Sequence, residues 1–310
     1  MSQATEAAPP SDIAAAPMPI QADWELDYYS RPILEPDGKK RWELLICSSP
    51  ADGVGQGFRW ALNCPASSVN SQWLREALQQ ALQAAAGQGF APPRKLRCWR
   101  ASMRTMVQRA ADGLGMELVP SRRCYALVAW LQERQALVYP AEEGYMAGPL
   151  APPPQPIQPV AVPLPEAARG DSWSWASLPL SALRDAAEWE VSFPGLMPLP
   201  DGADGGPLDP ELLVSGLRLF SASRSLAIAG WIAGLEPVRL EVSGAQLVLE
   251  AGLEDRWLLG TLEPEEAAAA AAAFQASREQ AAGIKFLAVQ SQPDQPGFDG
   301  FWILRDLPDA

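Results

Sequence analysis

The chain has 310 residues, 48% of them hydrophobic, a net charge of −13 and no histidine. Its length allows one or two domains, each large enough to bury a core. The missing histidine removes Ser-His-Asp and Cys-His catalysis, histidine bases and every histidine-containing metal site. The first 21 residues are rich in Ala and Pro and carry Glu6 and Asp12 but no Lys or Arg. They read as a disordered tail, unlike a secretory signal or an Arg-rich transit peptide. No apolar run approaches the roughly 18 residues of a membrane-spanning helix.

Trp24 to Cys47 reads as a hairpin. Pro36 presets the second position of a turn at Glu35-Pro36-Asp37-Gly38, and Gly38 is free to take positive φ. Period-two alternation puts Trp24, Leu26 and Tyr28 on one face and Glu25, Asp27, Tyr29 and Arg31 on the other. In the second strand Trp42, Leu44 and Ile46 share a face, opposite Arg41, Glu43, Leu45 and Cys47. A lone hairpin is marginal in water, so helices should cover the Trp-bearing face of a larger sheet.

Gly57 to Leu62 is expected as a third strand. Asn70 or Ser71 then caps a helix whose stripe is Trp73, Leu74, Ala77, Leu78, Ala81, Leu82 and Ala85. Lys95 to Arg100 is a fourth strand, and Ser102 caps a second helix with Met103, Met106, Val107, Ala110 and Leu114 inward. Met116 to Val119 is a short strand, and Arg122 to Gln135 is a helix with Leu127, Trp130 and Leu131 inward. The resulting β-β-β-α-β-α-β-α order predicts a mixed sheet covered by helices, close in order to a ribonuclease-H-like domain.

Eight prolines in residues 148 to 165 predict an extended linker. Beyond it, strands are expected at Ser172 to Leu178, Leu217 to Ser221, Val238 to Val242, Gln246 to Glu250, Arg256 to Leu262, Ile284 to Gln290 and Phe301 to Arg305. An acidic loop runs from Pro198 to Pro210. Helices are expected at Ser225 to Ala233 and after Glu263-Pro264, where alanines follow. The class is α+β: a tail (1–21), an N-terminal α/β domain (22–147), a Pro-rich linker (148–165) and a C-terminal α+β domain (166–310).

Charge is unevenly placed. Residues 1 to 150 hold 15 basic and 15 acidic side chains, and residues 151 to 310 hold 9 and 22. Within 94 to 134 the balance is basic, which suits a polyanion even on an acidic protein. The candidate contacts are Lys39, Lys40 and Arg41 after the turn, Arg97, Trp99 and Arg100 at a strand end, Arg104, and Arg122 with Arg123 at a helix start. A helix N-terminus disfavours cations, so Arg122 and Arg123 read either as a phosphate site or as partners of Glu25, Asp27 or Glu43. Arg97, Trp99 and Arg100 suit phosphate contact with base stacking, while Trp99 also fits a core. Trp24, Trp42, Trp73, Trp130, Trp231 and Trp257 lie on apolar stripes and are assigned to the core. Cys47, Cys64, Cys98 and Cys124 have no CxxC spacing and read as buried thiols, with no metal and no cofactor expected. A two-metal nuclease would need clustered carboxylates. Asp27 and Glu76 are candidates, but KLRCWR offers no third, Asp27 can equally pair with Arg31 or Lys40, and the glutamate of WELL lacks the lysine that a restriction-type site places two residues later.

The strings WELDYYSRPIL, RCWRASM, PSRRCYALVAWLQER, LPEAARGDSWSWASLPL, GLRLFSASRSLAIAGWIAGLEP and GFDGFWILRD, in this order, resemble the Tab-two family, RNA-binding factors of cyanobacteria and chloroplasts. The resemblance spans nearly everything after Ala22. It implies a non-enzymatic factor that supports translation of photosystem reaction-centre mRNAs by holding A/U-rich single-stranded RNA, the leader of the message. With the acidic tail, it implies a cyanobacterial cytoplasm. The acidic second half keeps open an assembly factor with a protein partner on the C-terminal domain, and Asp27 keeps open a metal-dependent nuclease.

Overall fold

The turn at Glu35-Pro36-Asp37-Gly38 forms as its residues require. Gly38 takes φ +79° and donates its amide to the Glu35 carbonyl at 2.9 Å, joining β1 (Trp24–Leu34) to β2 (Lys40–Ser48). Leu26 lies opposite Ile46 and Tyr28 opposite Leu44. These four side chains, with Trp24, are buried in one core, whereas Leu45 and Cys47 enter another on the reverse face. This computed structural model describes residues 19–49, 57–147, 159–197, 199–200 and 206–306.

The chain continues through β3 (Arg59–Cys64), α1 (Ser71–Gly87), β4 (Lys95–Cys98), α2 (Arg104–Asp112), β5 (Glu117–Pro120) and α3 (Tyr125–Glu133). The sheet order is β3-β2-β1-β4-β5. Strands β1 to β3 are antiparallel, and β4 and β5 run parallel to β1, the arrangement of a ribonuclease-H-like sheet. Helices α1 and α2 cover the Trp24 face, and α3 covers the other. The Asn70 Oδ1 accepts the Trp73 amide at 2.9 Å, fixing the start of α1.

Two local expectations change. Ser102 does not cap α2, because Ala101–Met103 forms a 3-10 turn that leads in without a side-chain cap. Arg122 and Arg123 lie ahead of α3 rather than in it. The Ser121 Oγ accepts the Arg123 amide at 3.0 Å and the Cys124 amide donates to the Arg122 carbonyl at 2.8 Å, so a local turn replaces the first helical turn. At its other end α3 continues as a π turn, Arg134–Val138.

The second half contains β6 (Val162–Pro163), β7 (Ser172–Pro179), α4 (Leu180–Arg184), β8 (Val191–Gly195), β9 (Leu213–Phe220), α5 (Ser225–Gly234), β10 (Pro237–Ser243), β11 (Gln246–Ala251), β12 (Asp255–Thr261), α6 (Pro264–Gln280), β13 (Ile284–Gln290) and β14 (Phe298–Arg305). They build two sheets, β10-β11-β12-β6 and β7-β9-β13-β14-β8. Elements α4, β8 and β6 were not expected. Val162 pairs with Trp257, so part of the expected linker forms a sheet edge. Residues 1–18 of the expected tail, 148–158 of the linker and 198 and 201–205 of the acidic loop lie outside the described residues. Ile20 is bridged to Phe90.

Tyr125, the first residue of α3, is 5% exposed and belongs to the core formed by Leu180, Ile284, Phe286, Phe301 and Ile303. A first-half residue is therefore buried inside the second half.

Candidate nucleic-acid interface

The nine basic and aromatic residues nominated from sequence fall into four places. Lys39 and Lys40 are exposed at the hairpin tip, Arg104 is exposed on α2, and Arg41 is ion-paired with both Glu35 and Glu142.

Arg97, Arg122 and Arg123 are turned toward the second half. Arg97 grips Glu236 with two hydrogen bonds, Nε to Oε2 at 2.5 Å and Nη2 to Oε1 at 3.0 Å, and lies 3.3 Å from Asp23. Glu236 follows α5 at φ +57°, a left-handed position where glycine is the default. A glycine there would leave Arg97 ion-paired with Asp23 alone. The burial that would raise the Glu236 carboxyl is outweighed by Arg97, which holds it below the usual range. Arg122 meets Glu250 at 2.9 Å, and Glu250 also binds Arg239 at 2.8 Å. Arg123 donates to the carbonyls of Pro237 (2.8 Å), Gly195 (2.6 Å) and Ile303 (3.2 Å), and the Tyr125 hydroxyl to that of Val238 at 2.5 Å. Neither Glu25, Asp27 nor Glu43 pairs with Arg122 or Arg123 in these contacts. The first turn of α3 is itself occupied, since the Leu127 amide donates to Glu25 at 2.8 Å.

Trp99 and Arg100 belong to a separate cluster on the α3 face. Asp27, fully buried, accepts from the Trp99 Nε1 at 2.9 Å and the Arg31 Nη1 at 2.8 Å, and is ion-paired with Arg100. Burial would raise its carboxyl, but Arg31 and Arg100 outweigh that and lower it. Glu43 accepts from the Arg31 Nε at 2.8 Å, the Arg134 Nη2 at 2.5 Å and the Tyr139 hydroxyl at 2.6 Å. Arg100 also lies 4.1 Å from the ring centre of Tyr29 and 4.6 Å from that of Trp99. Arg134 and Tyr139 were not nominated from sequence. For Arg31 and Glu43 the signal was present, because alternation already placed both on the face of Asp27. Arg134 and Tyr139 reach it only through the π turn.

The nuclease pair is not assembled. Helix α1 covers the face opposite Asp27, and its Glu76 is exposed and bonded to Gln72. All four cysteines are buried and reduced. Burial raises the thiols of Cys47 and Cys124 and pushes Cys98 up to about 12. Among the described residues no group of His, Cys, Asp and Glu is arranged to hold a metal ion, and no helix is long and apolar enough to cross a membrane.

Residues 23–134 match the family described as RNA-binding protein Tab2/Atab2 N terminal, and residues 151–305 match RNA-binding protein Tab2/Atab2, C-terminal domain. The chain belongs to the Tab2/Atab2 family. It is 36% identical over 297 residues to "Protein TAB2 homolog, chloroplastic" of Zea mays, covering 92% of this chain and 72% of the relative. It is 32% identical over 295 residues to the protein of the same name from Arabidopsis thaliana, covering 92% and 75%. No solved structure matches it. Within this Tab2-like chain, the two family regions meet through Arg97, Arg122, Arg123 and Tyr125.

Two predictions follow from these contacts. Removing one member of a buried ion pair strands the other, so Arg97→Ala and Glu236→Ala should each destabilise the protein by about 3 kcal/mol. The double variant should lose clearly less than the sum, as read by denaturant unfolding; strict additivity would contradict the pair. Glu25 is 2% exposed, and burial, only partly offset by the Leu127 amide and the Ser49 hydroxyl, pushes its carboxyl up to about 7. The folded chain therefore holds this proton more tightly than the unfolded one, and stability falls as pH rises from about 4.5 to about 7. Glu25→Gln should be more stable than wild type above pH 7, by on the order of 1–3 kcal/mol, with the difference vanishing toward pH 4.5. Equal thermal midpoints at pH 8 would contradict this.

Proposed function

We propose that this chain is a non-enzymatic RNA-binding factor that supports translation of photosystem reaction-centre mRNAs and thereby photosystem biogenesis, working in the cytoplasm of a bacterium that makes its own photosystems. The observation that carries the reading is the pair of Tab2/Atab2 matches covering 23–134 and 151–305. The relatives are chloroplast proteins of two plants, which supports a photosynthetic setting. The partner is A/U-rich single-stranded RNA, the leader of the message, held by the first half. The non-enzymatic part rests on Asp27, the carboxylate a nuclease would need open to a metal, which is instead held by Arg31, Arg100 and Trp99.

A second reading, an assembly factor with a protein partner on the acidic second half, is favoured by the 22 acidic against 9 basic residues of positions 151 to 310. The two differ in vivo and in vitro. The translation factor should bind A/U-rich RNA with an affinity that falls as salt rises, log K changing by about −0.7 per log unit of salt for each phosphate contacted. Cells lacking the chain should show reduced pulse-labelled synthesis of reaction-centre subunits at unchanged mRNA level. Normal synthesis followed by failed assembly, with no RNA binding, would overturn it in favour of the assembly factor.

A further inference from the structure

The cluster around Asp27 is not electrically closed. Three guanidinium groups, Arg31, Arg100 and Arg134, face two carboxylates, Asp27 and Glu43, leaving an excess of one positive charge. Arg31 is 1% exposed, and its Nη2 has no partner among the described residues although Nη1 and Nε are both bonded. A buried charged donor left unpaired is unfavourable, and an anion bound beside the cluster supplies the missing charge. The cluster reaches the surface through Arg100 and Arg134, whose side chains are 10% and 15% exposed, beside half-buried Tyr29 and Trp99. Arg134 also lies 5.2 Å from the ring centre of Tyr139. Guanidinium groups beside aromatic rings are what a phosphate and its neighbouring base require. Lys39 and Lys40 are exposed at the hairpin tip where β2 begins; Lys40 lies on the Trp42 face by alternation and roughly 10 Å along the strand from Glu43.

We propose that this cluster is the phosphate-binding element of the RNA site, taking one backbone phosphate at Arg100 and Arg134 with the adjoining base against Tyr29 or Trp99, the strand continuing toward Lys39 and Lys40. The inference rests on the RNA-binding reading above. It assigns Arg97, Arg122 and Arg123 to holding the second half and not to RNA.

The test is fluorescence anisotropy of the full chain with an A/U-rich 12-nucleotide RNA over a salt series, comparing wild type, Arg134→Ala, Arg134→Lys and Trp99→Leu, with folding checked by thermal denaturation. Arg134→Ala should weaken binding about tenfold and reduce the salt slope by about 0.7, the share of one phosphate on a single strand. Trp99→Leu should weaken binding with the slope unchanged, and Arg134→Lys should restore most of the slope. Wild-type binding left intact in folded variants overturns this inference alone. Wild type that binds no RNA, including one that binds inorganic phosphate only, overturns the RNA reading and the inference with it. Should Arg134→Ala not fold, photocrosslinking of a 4-thiouridine RNA to wild type decides: crosslinks at Tyr29 or Trp99 support the assignment, and crosslinks confined to other segments overturn it.

Discussion

Arg123 is the residue on which the arrangement of this protein turns. Its guanidinium reaches three main-chain carbonyls of the second half, at Gly195, Pro237 and Ile303, which come from three different strands. Its hydrogen bonds go to carbonyl dipoles, and the carboxylates of Glu25 and Glu236 feel its charge. Two residues on, Tyr125 is buried in the second half's own core. A short turn between β5 and α3 thus inserts both a cation and an aromatic ring into the other half. The pairs Arg97–Glu236 and Arg122–Glu250 flank the insertion. Buried pairs of this kind contribute little net stability but are costly to break on one side, so they act mainly to fix one relative placement of the two family regions.

That role redistributes the basic residues. The stretch from 94 to 134 is the most cationic of the chain, and much of its charge is spent internally. Basic side chains of the first half also remain exposed at the hairpin tip, on α2, and at Arg59 and Arg94. The Asp27 cluster stands where a ribonuclease-H-like sheet presents its central carboxylate, on β1. Here two guanidinium groups and an indole N–H occupy that carboxylate. Arginine stands here where a metal site would hold further acidic groups, so the cluster carries one more positive than negative charge.

Much of this was legible in the sequence. The Pro36-Asp37-Gly38 turn, the alternation along β1 and β2, the Asn70 cap and the stripe of α1 each follow from a local rule, and the strand-helix order led to the observed mixed sheet. The charged face of β1 was also visible, because alternation placed Glu25, Asp27 and Arg31 together. The partners of Arg97 and Arg122 were not visible: Glu236 and Glu250 lie 139 and 128 residues away, and no periodicity reports a contact between two folded halves. The start of α3 was misplaced because Ser121, a side chain that competes for nearby amides, holds the backbone in a turn where helix propensity alone would continue inward. Helix α4, of five residues, and strand β6, of two, are too short to show a period.

Hydrogen–deuterium exchange of the whole chain with and without A/U-rich single-stranded RNA tests the division of labour most directly. The account predicts that RNA slows exchange in the segments around Lys39 to Arg41, Trp99 to Arg104 and Arg134 to Tyr139, while Ser121 to Tyr125 and Glu236 to Val238 exchange alike in both states. Protection centred on Ser121 to Tyr125, with no change around Trp99 and Arg134, would contradict it.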